Sequence, residues 1–495
     1  MEDKTVKIRD YVFRLNEDRA VLTAWNKTRK TVQLPNSVEG VPVQGIDPEA
    51  FEGCESLRDI SLPMEMKHLP LKELRRCRSL EAIRVSPLHS EFSSQDGILY
   101  NKGKTELLNC PVARSKPVLV PETVTKIVTE AFSGCEKIRE INLPAHLETI
   151  EDYAFAHCKS LHSMALPDTL SFIGPHALTA CRQLRSVYLS RHITEPPELN
   201  GCKSLRVIAV SQDNPALSSR NGVLFNAGCT ELRRCPQGKT GKLVIPAETA
   251  VIAEDALHGC GGLTEIRVAE GNPAFSDQDG VLFDAARTHL ICCPAGYGGT
   301  LMLGEEVKTI APDAFPVQHL PIVMDDGSGS ITRLWIEGAA LNEICTADEN
   351  TEFSSENGVL YNRDKTVVLR VPGGYRGRLR LPDTVTEIAD AALCGCSELT
   401  ELTLPAGLRR IGKNALEGCF QLERLVIPEQ TEEIAAGAMN GCVNLLDVFI
   451  RGRETAVWPL AFDCCGNVTL HAPAGSLAAR YAASERLRFL PITGV

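Results

Sequence analysis

Apolar side chains between residues 381 and 465 recur on a strict register. Ile388, Ile411, Ile434 and Val457 fall on one line, Ala392, Ala415, Ala438 and Ala461 on a second, and Cys396, Cys419, Cys442 and Cys465 on a third, each step being 23 residues. A fixed period in the range of roughly 20–50 residues marks stacked repeats rather than one closed core. Each unit reads I-x-x-x-A-(F/L/M)-x-G-C-x-x-L-x-x-(I/L/V)-x-(L/I)-P, as in Ile411, Ala415, Leu416, Gly418, Cys419, Leu422, Leu425, Ile427 and Pro428. Leu425-Val426-Ile427 alternates with period two and predicts a short strand with one buried face. Pro428 cannot donate to a ladder and fits the strand's end. The half from Ile411 to Leu416 predicts a bend and a brief helical turn, stopped near Gly418 by a left-handed residue. One unit alone leaves its apolar side open, and stacking at about 4.8 Å joins these sides into a continuous core. The fold class predicted is an α/β repeat solenoid: a rod with a long parallel β-sheet, and short strands and helical turns on its other side.

The period is interrupted by additions. Cys77 to Cys135, Cys202 to Cys260, and Cys260 to Gln318 each span 58 residues instead of 23. The added stretches are copies of one another: EFSSQDGILYNKGKTELLNCP from Glu91, ALSSRNGVLFNAGCTELRRCP from Ala216, AFSDQDGVLFDAARTHLICCP from Ala274 and EFSSENGVLYNRDKTVVLRVP from Glu352. Two apolar runs around a polar turn predict a hairpin, giving four hairpin-bearing insert coils near 86–120, 211–245, 269–303 and 347–381. Asp96-Gly97, Asn221-Gly222, Asp279-Gly280 and Asn357-Gly358 read as turn chemistry rather than as calcium ligands. Residues 1–45 lack the repeat and predict an N-terminal β-hairpin cap. The solenoid is expected over 46–470 and a C-terminal helical cap over 471–495. A loop is expected at 325–330, with Trp335 after it.

Composition narrows the function classes. A net charge of -11 and a pI near 5.6 argue against a nucleic-acid partner, which needs a basic face. No run of about 18 apolar residues predicts a membrane span. The charged start does not read as a secretory leader. Of 19 cysteines, Cys54, Cys77, Cys135, Cys158, Cys181, Cys202, Cys260, Cys396, Cys419, Cys442 and Cys465 occupy the repeat slot. They read as small buried hydrophobes of a reducing compartment, which predicts a cytoplasmic protein. Cys292 with Cys293, Cys394 with Cys396, and Cys464 with Cys465 read as packing rather than redox pairs. Without C-x-x-C spacing, and with histidines scattered singly, no metal site is expected. No phosphate-loop, dinucleotide, nucleophile-elbow or H-E-x-x-H stretch is present, so neither an enzyme nor a cofactor is expected. Asp59, Glu140, Glu265, Glu401 and Asp447 precede the strand, but Ala82 and Arg424 break that series, which reads as a solvated edge.

Outward strand positions are where a binding surface is expected, because the inward ones are consumed by the core. The candidates are Tyr188, Val207, Arg267, Arg424, Val426 and Phe449, with Tyr188/Val207 and Val426/Phe449 as two patches. The function expected is a non-enzymatic protein-binding scaffold or recognition rod, monomeric, using its sheet face. An enzyme with its site in the insert coils or near 316–345 is the alternative from another class. A glycan-binding adhesin draws little help from an aromatic content of 5%.

The unit I-x-x-x-A-F-x-x-C-x-x-L-x-x-I-x-(L/I)-P resembles the BspA-type (Treponema-type) leucine-rich repeat of bacteria and some protists. The S-S-x-(D/N)-G-V-L-(Y/F)-N inserts and the ending Ala472-Pro473-Ala474-Gly475-Ser476 before a short helix are similar to that family too, although a tryptophan usual in that ending is missing. The resemblance covers about residues 32–492. It implies a leucine-rich repeat rod, and a secreted or surface-attached adhesin that binds host proteins or glycans, cells or other bacteria. No export signal, sorting tail or anchor is expected from these residues, which departs from that picture.

Overall fold

The computed structural model describes residues 4–315 and 340–492, with the backbone of the short strands Gln318–Leu320, Met324–Asp325, Ile331–Thr332 and Trp335–Glu337. The side chains of Gln318 and Trp335, and the loop expected at 325–330 apart from the strand backbone at Asp325, lie outside the described residues. The chain forms two compact units, Met1–Lys239 with Ala253–Ala256, and Thr240–Ile252 with Leu257–Val495. Each is a β-solenoid with little helix.

In the second unit the strands Arg424–Ile427, Asp447–Ile450, Thr469–Ala472 and Arg488–Pro491 pair in that order, all parallel. Leu425 and Ile427 point inward and are buried, as the period-two pattern requires. A second ladder runs along the other side, where Ile388, Ile411, Ile434 and Val457 stand in register on the two-residue strands Glu387–Ile388, Arg410–Ile411, Glu433–Ile434 and Ala456–Val457. The bend expected at Ile411 is thus the end of a strand, and the helical turns expected after it are not helices. Among the described residues, helix is limited to Leu71–Arg76, Leu477–Ser484 and the 3-10 turn Pro48–Phe51. The reason is local. Ala391, Asn414, Gly437 and Leu460, one residue before the repeat alanine, all have positive φ of 52–67°, which turns the chain before a helical period is complete.

Ile411, Ala415, Leu416, Cys419, Leu422, Leu425 and Ile427 are all buried, and one apolar cluster runs from Val359 to Ala482. A second cluster, in the first unit, runs from Ile98 to Leu224. The slot cysteines do more than fill space. Cys158, Cys181, Cys202, Cys419, Cys442 and Cys465 donate S–H to the carbonyls of Phe132, Phe155, Leu178, Leu393, Leu416 and Met439 at 3.0–3.4 Å. Burial pushes the Cys202 and Cys396 thiols up to about 12, so the proton needed for donation stays on sulfur.

The single long parallel sheet expected from the period is divided into shorter ladders, and antiparallel hairpins stand at the divisions. Phe92–Gln95 pairs with Ile98–Asn101 around Asp96 and Gly97, whose φ values are 52° and 80°. That turn lies on the strand Ala82–Val85: Ile83 N–H donates to the Gly97 carbonyl at 2.9 Å, and a Cβ at Gly97 would stand 2.8 Å from that of Ala82. The same bond links Ile208 to Gly222, Ile266 to Gly280 and Ile344 to Gly358 at 2.8–2.9 Å. A hairpin therefore takes the edge where the next coil's strand would have paired.

At the chain's start, Lys4–Ile8, Tyr11–Leu15 and Ala20–Trp25 form antiparallel pairs, and Ala20–Trp25 pairs in parallel with Val41–Ile46. At its end, Ser476 caps the helix Leu477–Ser484 by accepting from Ala479 N–H at 3.2 Å.

Candidate functional site

Parallel register sets Val426 opposite Phe449, and Phe449 opposite His471, on the outward face of three successive coils. Their strand neighbours Leu425, Ile427, Val448, Ile450 and Leu470 point inward and are buried, so alternation leaves these side chains no other face. Val426 and Phe449 form part of the floor of a groove of about 1200 Å³ that also takes in Glu401, Thr403, Glu423, Arg424, Glu429, Arg451 and Ile492, with His471 behind the Phe449 ring. The Arg424 guanidinium lies 4.4 Å from the Phe449 ring centre. His471 stacks on Phe449 with ring centres 4.2 Å apart and planes at 10°, and its Nε2 stands 2.6 Å from Asp447 Oδ1. Arginine and histidine both contact this half-buried ring, leaving less of its face free for a sugar.

The arginines of this unit fall into two kinds. Arg378 meets Glu401 at 3.1 Å, Arg409 meets Glu432 at 2.5 Å, and Arg410 is shared by Glu387, Asp390 and Glu433 at 2.8–3.5 Å. Arg424 and Arg451, in the groove, have no carboxylate partner among the described residues. Neither Glu423 nor Glu429 has a cationic one.

Three expected residues, Arg424, Val426 and Phe449, therefore share one groove. Tyr188 and Val207 lie on adjacent strands of the first unit but on offset positions, Tyr188 facing Ala209 and Val207 facing Ser186. The Tyr188 hydroxyl donates to Asp168 at 3.4 Å, and Val207 carries the Gly222 turn against its backbone. Arg267 is engaged by Asp277 at 2.9 Å and Glu265 at 3.1 Å. Sequence reasoning missed His471, Arg451 and Ile492. His471 could have been found from the repeat itself, since it follows Phe449 on the same strand position of the next coil.

Other polar clusters are absorbed by the fold. In the inserts Ser93, Ser218, Ser276 and Ser354 donate to the carbonyls of Asn101, Asn226, Asp284 and Asn362 at 2.7–2.8 Å. The Asn214, Asn272 and Asn350 amides each tie two carbonyls of an earlier coil to two N–H groups of their own. Burial pushes the Glu417 carboxyl up, and Asn440 donates to it at 3.0 Å. Among the described residues, no group of three or more His, Cys, Asp or Glu side chains is placed to hold a metal ion. No helix among them is long and apolar enough to cross a membrane.

Fold and groove together define a leucine-rich-repeat solenoid. The chain belongs to the BspA-type leucine-rich repeat family, whose repeat model matches residues 25–101, 112–219 and 377–476 in six copies, more than half of the chain. None of the curated proteins compared with it matches. Similar solved structures include a leucine rich cell surface protein of Faecalibacterium prausnitzii A2-165, at 17% identity over 97% of this chain and 98% of that one, with a TM-score of 0.31. A leucine-rich repeat protein of Eubacterium ventriosum is similar at 15% identity over 86% and 90%, with a TM-score of 0.36. The pneumococcal vaccine antigen PcpA is similar at 14% identity over 99% and 99%, with a TM-score of 0.29. At such scores these likenesses carry no weight for function.

Proposed function

We propose that the chain is a non-enzymatic, monomeric recognition solenoid that binds a protein partner through the sheet face at Arg424, Val426 and Phe449. The observation that carries this reading is the groove itself: an open concavity of about 1200 Å³ crossing the outward faces of successive coils, with an apolar floor and charged rims. Interfaces of this make-up gain affinity from a few well-packed anchors inside a polar margin. The non-enzymatic part is supported by the inserts, where the recurring serines and asparagines are held by backbone groups and so are not free to act on a substrate. The slot thiols such as Cys158, Cys181, Cys202, Cys419, Cys442 and Cys465, which hold a proton against a carbonyl, support a reducing cytoplasmic setting; a surface location is the alternative that the family brings with it.

Affinity capture on the purified chain, read by mass spectrometry against the V426D variant, tests the reading. Proteins held by the native chain and lost with Val426→Asp, whose side chain is half-buried and outward, are the expected result. Identical captures by the two chains, with unchanged melting of the variant, would refute it. Light scattering checks the monomer, and protease shaving of intact cells checks the location.

A further inference from the structure

We infer that the groove receives a carboxylate of its partner on Arg424, from an extended segment in which an acidic and an aliphatic residue stand two positions apart. This rests on the protein-binding reading and names the chemistry of that same site. Arg424 is exposed on the strand Arg424–Ile427 and lies over the Phe449 ring at 4.4 Å, with no carboxylate among the described residues to occupy it. His471 backs the ring at 4.2 Å and is itself held by Asp447 at 2.6 Å, so the surface under the guanidinium is braced from the next coil. Restricting the arginine before the partner arrives lowers the ordering cost of a bidentate contact.

Spacing supplies the second half. Arg424 and Val426 are two residues apart on one strand and share its outward face, about 6.6 Å from each other. An extended peptide running along that strand repeats its own side chains at the same interval. An acidic residue over Arg424 then places its i±2 neighbour over Val426, and the partner reads (Asp/Glu)-x-(Val/Ile/Leu) or its reverse. Glu423 and Glu429, unpaired in the same groove, discriminate against polyanions. Their charge opposes a polyanion such as a nucleic acid more than a segment that carries a single carboxylate.

The test is a peptide library displayed on phage and selected on the full-length chain. Selected sequences are then synthesised with the acidic residue intact or as its amide, and titrated against native, R424Q, R424K and V426D chains. The expected outcome is enrichment of an acidic and an aliphatic residue at spacing two. Affinity should fall tenfold or more in the amide form, and that difference should disappear in R424Q and persist in part in R424K. Peptides lost with V426D yet equally tight as amides would overturn the carboxylate inference and leave the protein-binding reading in place. A selection that yields no Val426-dependent peptide would overturn both.

Discussion

The slot cysteine shows how much one side chain adds beyond filling space. Cys419 is buried and its thiol donates to the Leu393 carbonyl of the preceding coil at 3.4 Å. Removing the sulfur leaves a small void and takes the second of two donors from the Leu393 carbonyl, which keeps the Cys396 N–H at 3.1 Å, so Cys419→Ala should cost about 1–2 kcal/mol in denaturant unfolding. Cys464→Ala, at an exposed site, should stay within about 0.5 kcal/mol. Raman spectra should place the S–H stretch of the slot thiols below that of a free thiol. His89 is the converse case. It stands where the other inserts carry Asn214, Asn272 and Asn350, and its Nδ1 accepts from Glu91 and Phe92 N–H at 3.1 Å. Its buried Nε2 has no partner. Burial holds its pKa below the ordinary value, with Lys102 acting the same way, and with Glu91, Glu65 and the nearby Met66 carbonyl, too poorly aligned to complete a hydrogen bond, opposing. The unfolded chain therefore takes up the proton first, and stability is lost as pH falls through the ordinary histidine range and on through the lower folded pKa. His89→Asn should add about 1 kcal/mol at neutral pH by restoring the second pair of bonds. Thermal melts of the two chains at pH 7 and pH 5 should show the gap widening on acidification; equal or narrowing gaps would remove the orphaned nitrogen as the cause.

Elements differ in how far the sequence exposes them. Strands such as Arg424–Ile427 and Asp447–Ile450 were legible because four residues suffice to display a period of two. The ladder through Ile388, Ile411 and Ile434 was not, because strands of two residues carry no period. Only the neighbouring coil makes them strands. The outward placement of Val426 and Phe449 could be read from alternation, but the free state of Arg424 and Arg451 could not, since it depends on which acids the adjacent coils supply. The Asp-Gly turns were legible as turns, though not as the pieces that close the edge of the preceding strand. That edge function makes Gly97 exacting twice over, in its φ of 80° and in the 2.8 Å approach a Cβ would make to Ala82. Gly97→Ala should cost about 2 kcal/mol or more. Gly407→Ala, where a Cβ would meet nothing within 4 Å, should be near neutral. The comparison is read directly from their melting midpoints.

At the scale of the whole chain, stability should be distributed by neighbourhood. In a solenoid each coil contacts chiefly the coils before and after it, so the free energy is close to a sum of coil and interface terms. The apolar side chains from Val359 to Ala482 form one cluster and those from Ile98 to Leu224 another. Ile411 sits inside the first, fully buried and in register with Ile388 and Ile434. Ile411→Asp would put an unpaired carboxylate between coils, a change worth several kcal/mol. The loss should appear as a local event: hydrogen exchange read by mass spectrometry should show protection lost across 359–482 and kept across 98–224. A uniform loss over both clusters would mean that the chain unfolds as one cooperative body. Protection unchanged everywhere would mean that Ile411 does not point inward, and the twenty-three-residue register would lose its physical meaning.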